Sequence, residues 1–318
     1  MFSRFFKKQQ EVSDAQATNA NSVPNPEKPK EKLKVYNLII LDKSGSMSSI
    51  AEAAISGFNE TVGGIRSAQK RLADSQEHYV SLYVFCDCDK HYIYENVPVE
   101  MVKTLTSREY RPCCCTPLYD AMGTSLNQLL NKIQSDKNAT AAVTVITDGL
   151  ENASREYSGK AIKALVDKLK DEEGWNFAYI GTNQDVDAVA ADLSITNTMY
   201  FEDNSEGMQH AWNRERKAKT IMYERMNADF LMCDSAPAPM CAKEMKLFRA
   251  RRNREERNYR SLEEFINYAD MNNDKTFLVT RIGCGIAGFT DEEIAPLFAR
   301  AINIPCIHLP LSFWKELV

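Results

Sequence analysis

Between residues 33 and 201, short apolar runs alternate with stretches whose apolar residues recur every three or four positions. This alternation constrains the fold more than any other feature of the chain. Residues 35–41 (Val-Tyr-Asn-Leu-Ile-Ile-Leu) are too apolar for a strand with one wet face, so they read as a strand buried on both sides. Ile50, Ala54, Phe58, Val62, Ile65, Ala68 and Leu72 then line one stripe of an amphipathic helix. The same reasoning predicts strands over 79–85 and 92–99, near enough to pair as a hairpin, and a helix over 117–133 with Pro117 in its first turn. Further on it predicts a strand over 141–147, a helix over 159–170, a strand over 175–180, a short helix over 186–193 and an edge strand over 199–201. Strands separated by helices call for an α/β fold: a doubly wound, mostly parallel sheet flanked by helices, with one antiparallel excursion.

This domain, residues 33–204, has flanks of different character. Residues 1–32 are rich in Gln, Asn, Ala, Pro, Glu and Lys, and Pro24, Pro26 and Pro29 stop any helix or strand, so the segment reads as a disordered tether. Residues 205–260 read as a charged helical arm and linker, broken at Pro237 and Pro239. Within it Trp212, Ile221, Tyr223 and Met226 form no single clean stripe. Arg249, Arg251, Arg252, Arg254, Arg257 and Arg260, set among Glu255 and Glu256, read as a solvated face with internal ion pairs. Residues 261–318 suggest a small α/β segment: helix 262–268, strand 277–282, helix 291–302, strand 306–309 and a closing turn. Such a unit is small to stand alone and is expected to dock on the rest.

With 39 Lys+Arg against 44 Asp+Glu the net charge is −5, which gives no general attraction for phosphate backbones, so no nucleic-acid partner is expected. Nine cysteines, an odd count that includes the adjacent Cys113, Cys114 and Cys115, suit reduced thiols and a cytoplasmic setting. No run of 18 apolar residues occurs and charges interrupt the apolar N-terminus, so neither a membrane span nor a secretory signal is expected.

The chemistry is expected at the carboxyl ends of the strands, where loops converge in an open α/β sheet. The first strand runs into Asp42-Lys43-Ser44-Gly45-Ser46, which sets a carboxylate and two hydroxyls at alternate positions on a loop that Gly45 lets turn tightly. A second loop offers Thr116 just before Pro117, and a later strand ends in Thr147-Asp148-Gly149. Oxygen donors of which few are charged suit a hard divalent cation such as Mg²⁺ and do not suit zinc or copper.

These three pieces, Asp42-Lys43-Ser44-Gly45-Ser46, Thr116-Pro117-Leu118-Tyr119-Asp120-Ala121 and Ile146-Thr147-Asp148-Gly149, resemble a von Willebrand factor A (vWA) domain carrying a complete metal-ion-dependent adhesion site (MIDAS). The resemblance covers residues 33–204 and is nearest to bacterial single-chain members, which implies a Rossmann-like fold and a bacterial or phage origin. It implies that Asp42, Ser44, Ser46 and Thr116 ligate the metal and that Asp148 acts mostly through water. The ion implied is Mg²⁺, or another divalent cation such as Mn²⁺ or Ca²⁺. Family members usually carry glycines in the loop before the threonine, where this chain has Cys114 and Cys115.

With one directly ligating carboxylate the bound cation would keep positive charge and an open position for an outside anion. In the family that anion is an Asp or Glu of a protein partner, so the expected function is a divalent-metal-dependent protein-binding module and not an enzyme. A phosphohydrolase reading needs an acid two residues after Asp42, where Ser44 stands, and no phosphate-binding G-x-x-x-x-G-K-[ST] loop is present. The single histidines, His78, His91, His210 and His308, read as structural. Cys86-Asp87-Cys88 and the triple cysteine lack the two-residue gaps of zinc ribbons and read as inert thiols, with oxidation beside the metal loop as the rival idea. The alternative function rests on residues 279–289, whose Gly283, Gly285 and Gly288 would let backbone amides approach a phosphate. That segment resembles the phosphate loop of macro domains, which implies an ADP-ribose-like ligand or a nucleotide-processing role. A tight glycine turn between strand and helix is the competing reading of the same residues.

Overall fold

Strands β1 (Leu33–Asp42), β2 (Gln76–Cys86), β3 (Asp89–Pro98), β4 (Ala139–Thr147), β5 (Asn176–Thr182) and β6 (Thr198–Phe201) form one sheet in the order β3-β2-β1-β4-β5-β6. The structure is a computed structural model that describes residues 31–182, 186–202, 204–234, 242–279 and 290–317. Only the β2–β3 pair is antiparallel. The sheet is therefore the doubly wound α/β arrangement that the alternation called for. From β1 the chain crosses to β2 on one side and later returns to β4 on the other, so the strand order reverses between β1 and β4. Ligand crevices open at such a reversal. Every residue of β4 is buried, which suits its Ala, Thr, Val and Ile content and its place inside a parallel sheet.

Helices α1 (Ala51–Arg71), α2 (Leu118–Ile133), α3 (Gly159–Asp171), α4 (Val186–Asp192) and α5 (Ser205–Asp234) cover the two faces. On one face Ile50, Ala54, Phe58, Val62 and Ile65 pack with Ile39, Leu41, Val80, Leu82 and Val84 of the sheet. On the other, Leu118, Met122, Leu126 and Leu129 of α2 and Ile162, Val166 and Leu169 of α3 pack on Leu38, Ile40, Val143 and Val145. Each core lies on the stripe that the three-and-four spacing marks.

Helix α5, in the segment read as an arm, lies on the α1 face and adds Met208, Ala211, Trp212, Tyr223, Met226 and Phe230 to that core. Ile221, read with them from the sequence, is 67% exposed and faces away. Polar side chains fix the docking. Tyr223 Oη donates to Asn37 Oδ1 at 2.5 Å, Gln76 Nε2 donates to the Tyr223 carbonyl at 2.8 Å, and Glu215 accepts from Thr144 Oγ1 at 3.1 Å while pairing with Lys219 at 2.6 Å.

The His78 ring lies beneath this helix, edge-on to Tyr223 at 4.6 Å between centroids and 3.0 Å from Gln76 Oε1. Burial disfavours its charged form and lowers its pKa from the usual 6.5 to about 4. Between those two values the unfolded chain binds more protons than the folded one, so stability falls as pH drops from 6.5 towards 4 and the loss is complete below it. The expected loss from this group is of the order of 3 kcal/mol, since each unit is worth about 1.4 kcal/mol. Urea titrations across this pH range check it: His78→Leu should flatten the pH dependence relative to the parent chain.

Helix α6 (Ala242–Met271) runs unbroken past residue 260, where composition suggested a boundary. It packs at the sheet end opposite the strand carboxyl termini. Arg249 donates to the carbonyls of Ala139 (3.0 Å) and Lys137 (2.7 Å), and Lys246 pairs with Glu173 at 2.6 Å. Arg249 is buried, so it does not belong to the solvated face expected for the arginine run. The remainder comprises β7 (Phe277–Leu278), α7 (Asp291–Ile294), β8 (Ile307–His308) and α8 (Leu311–Leu317). Together with the end of α6 they share a core of Ile266, Ala269, Phe298, Ile307 and Phe313.

Two expectations for this part are corrected. The helix predicted over 291–302 gives way after Ile294 to a 3₁₀ helix, Ala295–Asn303, where Pro296 removes an amide donor. The closing turn is instead α8, whose Phe313 is fully buried against Phe298. The strand predicted over 277–282 is observed as β7, and its remainder from Thr280 onwards lies outside the described residues, as do Gly283, Gly285 and Gly288.

Candidate metal centre

β1 and β4 end side by side, with Leu41 opposite Ile146, so the residues that follow each strand emerge at the same edge. Asp42, fully buried at the end of β1, accepts from the backbone N–H of Ser44 at 2.7 Å and from Thr147 Oγ1 at 2.6 Å. Ser44 Oγ lies 3.1 Å from Ser46 Oγ, and Ser46 Oγ donates to Asp148 Oδ1 at 2.7 Å. A Cβ built on Gly149 would stand 3.4 Å from Thr116 Oγ1 and 3.7 Å from Ser46 Oγ, so both hydroxyls flank this glycine. The fold thus brings the five predicted residues to one strand edge, four of them in one chain of polar contacts. Ser46 is exposed and Asp148 half-buried, so the group opens to solvent on that side.

The donor set fits a hard cation. Neighbouring oxygens in an octahedron with metal–oxygen bonds of about 2.1 Å stand about 3.0 Å apart. The Ser44–Ser46 and Ser46–Asp148 separations bracket that spacing. Electrostatics point the same way. Burial pushes the Asp42 carboxyl up to about 6, Asp148 adds to the shift, and hydrogen bonds from Thr147 and Ser44 act against it.

The sequence reading missed the residues that hold these loops. Tyr110 Oη donates to the Asp42 carbonyl at 2.5 Å from a buried position. Asn152 pairs reciprocally with Thr116, accepting from its N–H at 2.9 Å and donating its own N–H to its carbonyl at 3.1 Å. Glu151 accepts from the N–H groups of Tyr119, Ala153 and Ser154. Asp120, quoted only as part of a motif, is buried and accepts from the N–H groups of Arg155, Glu156 and Tyr157 at 2.9–3.0 Å and from Lys90 Nζ at 3.3 Å. Burial works against the ionised form of Asp120, but those amides and Lys90 hold its pKa below the usual aspartate value. Asp120, answered by amides 35–37 positions away, and Glu151, answered by its neighbours Ala153 and Ser154 and by Tyr119 32 positions away, form a polar cage that residue spacing does not show.

The cysteines of the two stretches come together in the fold. Cys86 and Cys88, at the β2–β3 turn, meet Cys113 and Cys114, with Sγ–Sγ distances of 3.5 Å (86–88), 3.4 Å (86–113), 3.4 Å (88–113) and 2.8 Å (88–114). The spacing argument looked for a chelate within one stretch, whereas the fold joins two. Cys113 and Cys114 are tied to the loop after β1: Cys113 N–H donates to the Lys43 carbonyl at 2.8 Å and Gly45 N–H to the Cys114 carbonyl at 3.0 Å. Burial disfavours the Lys43 ammonium, but the Asp89 carboxylate, and after it Cys86 and Cys113, raise its pKa above the usual lysine value.

No family model matches the chain, and no curated protein matches it. Solved structures with a similar fold include proximal thread matrix protein 1 from the mussel byssus, 11% identical over 59% of this chain with a TM-score of 0.43. They also include the pilus adhesin SpaC of Lactobacillus rhamnosus GG, 15% identical over 62% with a TM-score of 0.46. The manganese-loaded TRAP protein of Plasmodium vivax is 18% identical over 59% of this chain and 71% of its own, with a TM-score of 0.41. The chain spans 47% of the mussel protein and 31% of the adhesin. Identities this low bear on neither ligand nor partner.

Proposed function

We propose that this chain is a protein-docking module that holds Mg²⁺, or a similar hard divalent cation, through Asp42, Ser44, Ser46, Thr116 and Asp148 and presents it to a carboxylate of a partner protein. The observation that carries the reading is the convergence of one buried carboxylate and three hydroxyls beside Asp148 at the edge where β1 and β4 end. Bound there, the ion would supply a positive charge with an unfilled coordination position, which attracts an anionic oxygen.

The protein's own groups then have distinct tasks. Asp42 supplies the buried negative charge, Ser44 and Ser46 supply neutral oxygens on the same loop, and the Asn152–Thr116 pair sets the third hydroxyl beside Gly149. Leu150, 63% exposed next to Asp148 and Gly149, offers an apolar contact at the rim for the residues around the partner's carboxylate. The site is read as binding and not catalytic because Ser44 stands where a phosphohydrolase would need its acid. Among the described residues no helix is long and apolar enough to cross a membrane.

Titration of the full chain with Mn²⁺, followed by electron paramagnetic resonance, tests the reading. The parent chain is expected to take up one ion that Mg²⁺ displaces, and Asp42→Ala to take up none at this site while keeping its fold. A peptide or protein ligand carrying an accessible Asp or Glu should be retained in Mg²⁺ and released by EDTA. Equal Mn²⁺ uptake by Asp42→Ala, or retention indifferent to EDTA, would contradict it.

A further inference from the structure

We infer that Cys86, Cys88, Cys113 and Cys114 form a second metal centre, a thiolate site for zinc that shares no ligand with the oxygen site. Cys86, Cys88 and Cys113 bring their sulfurs within 3.5 Å of one another. The sulfurs of such a triangle lie about 2.0 Å from its centre, so an ion with zinc–thiolate bonds of about 2.3 Å sits roughly 1 Å out of their plane. One face of a tetrahedron is thus already in place. Cys114 Sγ lies outside this group of three, 2.8 Å from Cys88 Sγ, and its exposed side chain could supply the fourth donor by a rotation that opens this contact towards the roughly 3.8 Å edge of a zinc–thiolate tetrahedron. One ion suits this spacing better than an iron–sulfur cluster, whose thiolates must span several metal atoms.

Three further observations support the site. Cys114 holds φ at 62°, a left-handed conformation that glycine adopts freely and a cysteine adopts at a cost. A residue that keeps its side chain under those conditions has a use for the thiol. Four thiolates around Zn²⁺ leave a net negative charge, part of which the buried Lys43 ammonium can offset: its ion pair is with Asp89, and its own carbonyl accepts from the Cys113 N–H at 2.8 Å. Finally, the donors come from two segments that otherwise share little, the β2–β3 turn and the stretch before Thr116. Besides the thiols, the Asp87 N–H to Cys115 carbonyl bond at 3.0 Å joins them. Zinc would fasten the one to the other, which is the usual work of a closed Cys₄ site.

The test is anaerobic titration of the reduced full chain with Co²⁺. With excess Mg²⁺ present to fill the oxygen site, the parent chain is expected to bind one equivalent with intense thiolate-to-cobalt charge-transfer absorption and tetrahedral d–d bands, both abolished by added Zn²⁺. Cys88→Ser and Cys113→Ser should lose the charge-transfer band, and Cys114→Ser should keep it at reduced intensity. Cys115→Ser should leave it unchanged, because Cys115 is not among the converging thiols. Cys88 and Cys114 are exposed, so their variants should fold even if Cys86 variants do not. Asp42→Ala should also leave the band unchanged, which separates failure of this site from failure of the oxygen site. The inference is overturned by a reduced chain that binds no Co²⁺, by an octahedral spectrum without charge transfer, or by a band that Cys115→Ser removes as fully as Cys88→Ser. A Cys88–Cys114 disulfide found by peptide mapping, in a chain that takes up no metal after reduction, overturns it equally.

Discussion

Gly57→Ala is expected to destabilise the protein by about 3 kcal/mol, the upper range for forcing extra atoms into a filled core. A Cβ at this position in α1 would lie 1.9 Å from Trp212 Cδ1, 2.0 Å from Nε1 and 2.2 Å from Cγ. Nothing flexible is available to yield, because the obstruction is the indole ring of a 2% exposed tryptophan on α5. Either α5 lifts from α1 or the ring leaves its pocket, and both expose the core that α5 closes with Met208, Tyr223 and Met226. Urea unfolding should show a lower midpoint, and tryptophan emission of the folded variant should shift to the red as the indole meets water. Gly63→Ala on the same helix is the control. Its Cβ would meet nothing within 4 Å, so no loss should follow, and helix propensity should give a small gain.

Asp120→Ala is expected to cost a similar amount, about 3 kcal/mol, by a different route. The substitution leaves the N–H groups of Arg155, Glu156 and Tyr157 and the ammonium of Lys90 without their common acceptor. Leaving such partners unpaired costs more than the net worth of the bonds removed. The damage should be local as well as global. Asp120 lies in the first turn of the helix that follows Thr116, and the loop it holds continues from Glu151 and Asn152. Hydrogen exchange should therefore accelerate at residues 155–157 under conditions where β1 and β4 stay protected. Asp120→Asn, which keeps an accepting oxygen, should recover part of the loss.

The fold and the candidate centre were legible for the same reason: both are written locally. A strand buried on two faces shows as an unbroken apolar run, and the residues closing it, Asp42 and Thr147, are strand ends whichever neighbours they acquire. The stripe on α5 was hidden because two of its members are charged. Met208, Ala211, Trp212, Glu215, Lys219, Tyr223, Met226 and Phe230 follow a three-and-four spacing, but Glu215 and Lys219 are buried as an ion pair that a hydrophobic count treats as surface. The Asp120 cage was hidden because it pairs a side chain with amides in a loop 35–37 positions away, and the Glu151 contact to α2 because Tyr119 is 32 positions off. The thiol cluster needed the register of β2 and β3 and the path of the chain before Thr116 to be known first.

The docking of α5 also bears on the order in which the chain can finish folding. Tyr223 reaches back to Asn37 across 186 positions, and Ser75 bonds Asn227 across 152. While a ribosome is still making residues 205–234, α1 and the first strands are already out but the greasy flank between them has no cover. The nascent protein therefore carries an open apolar surface until α5 has been made, and covering that flank falls to a helix that follows every proposed cation ligand in the chain.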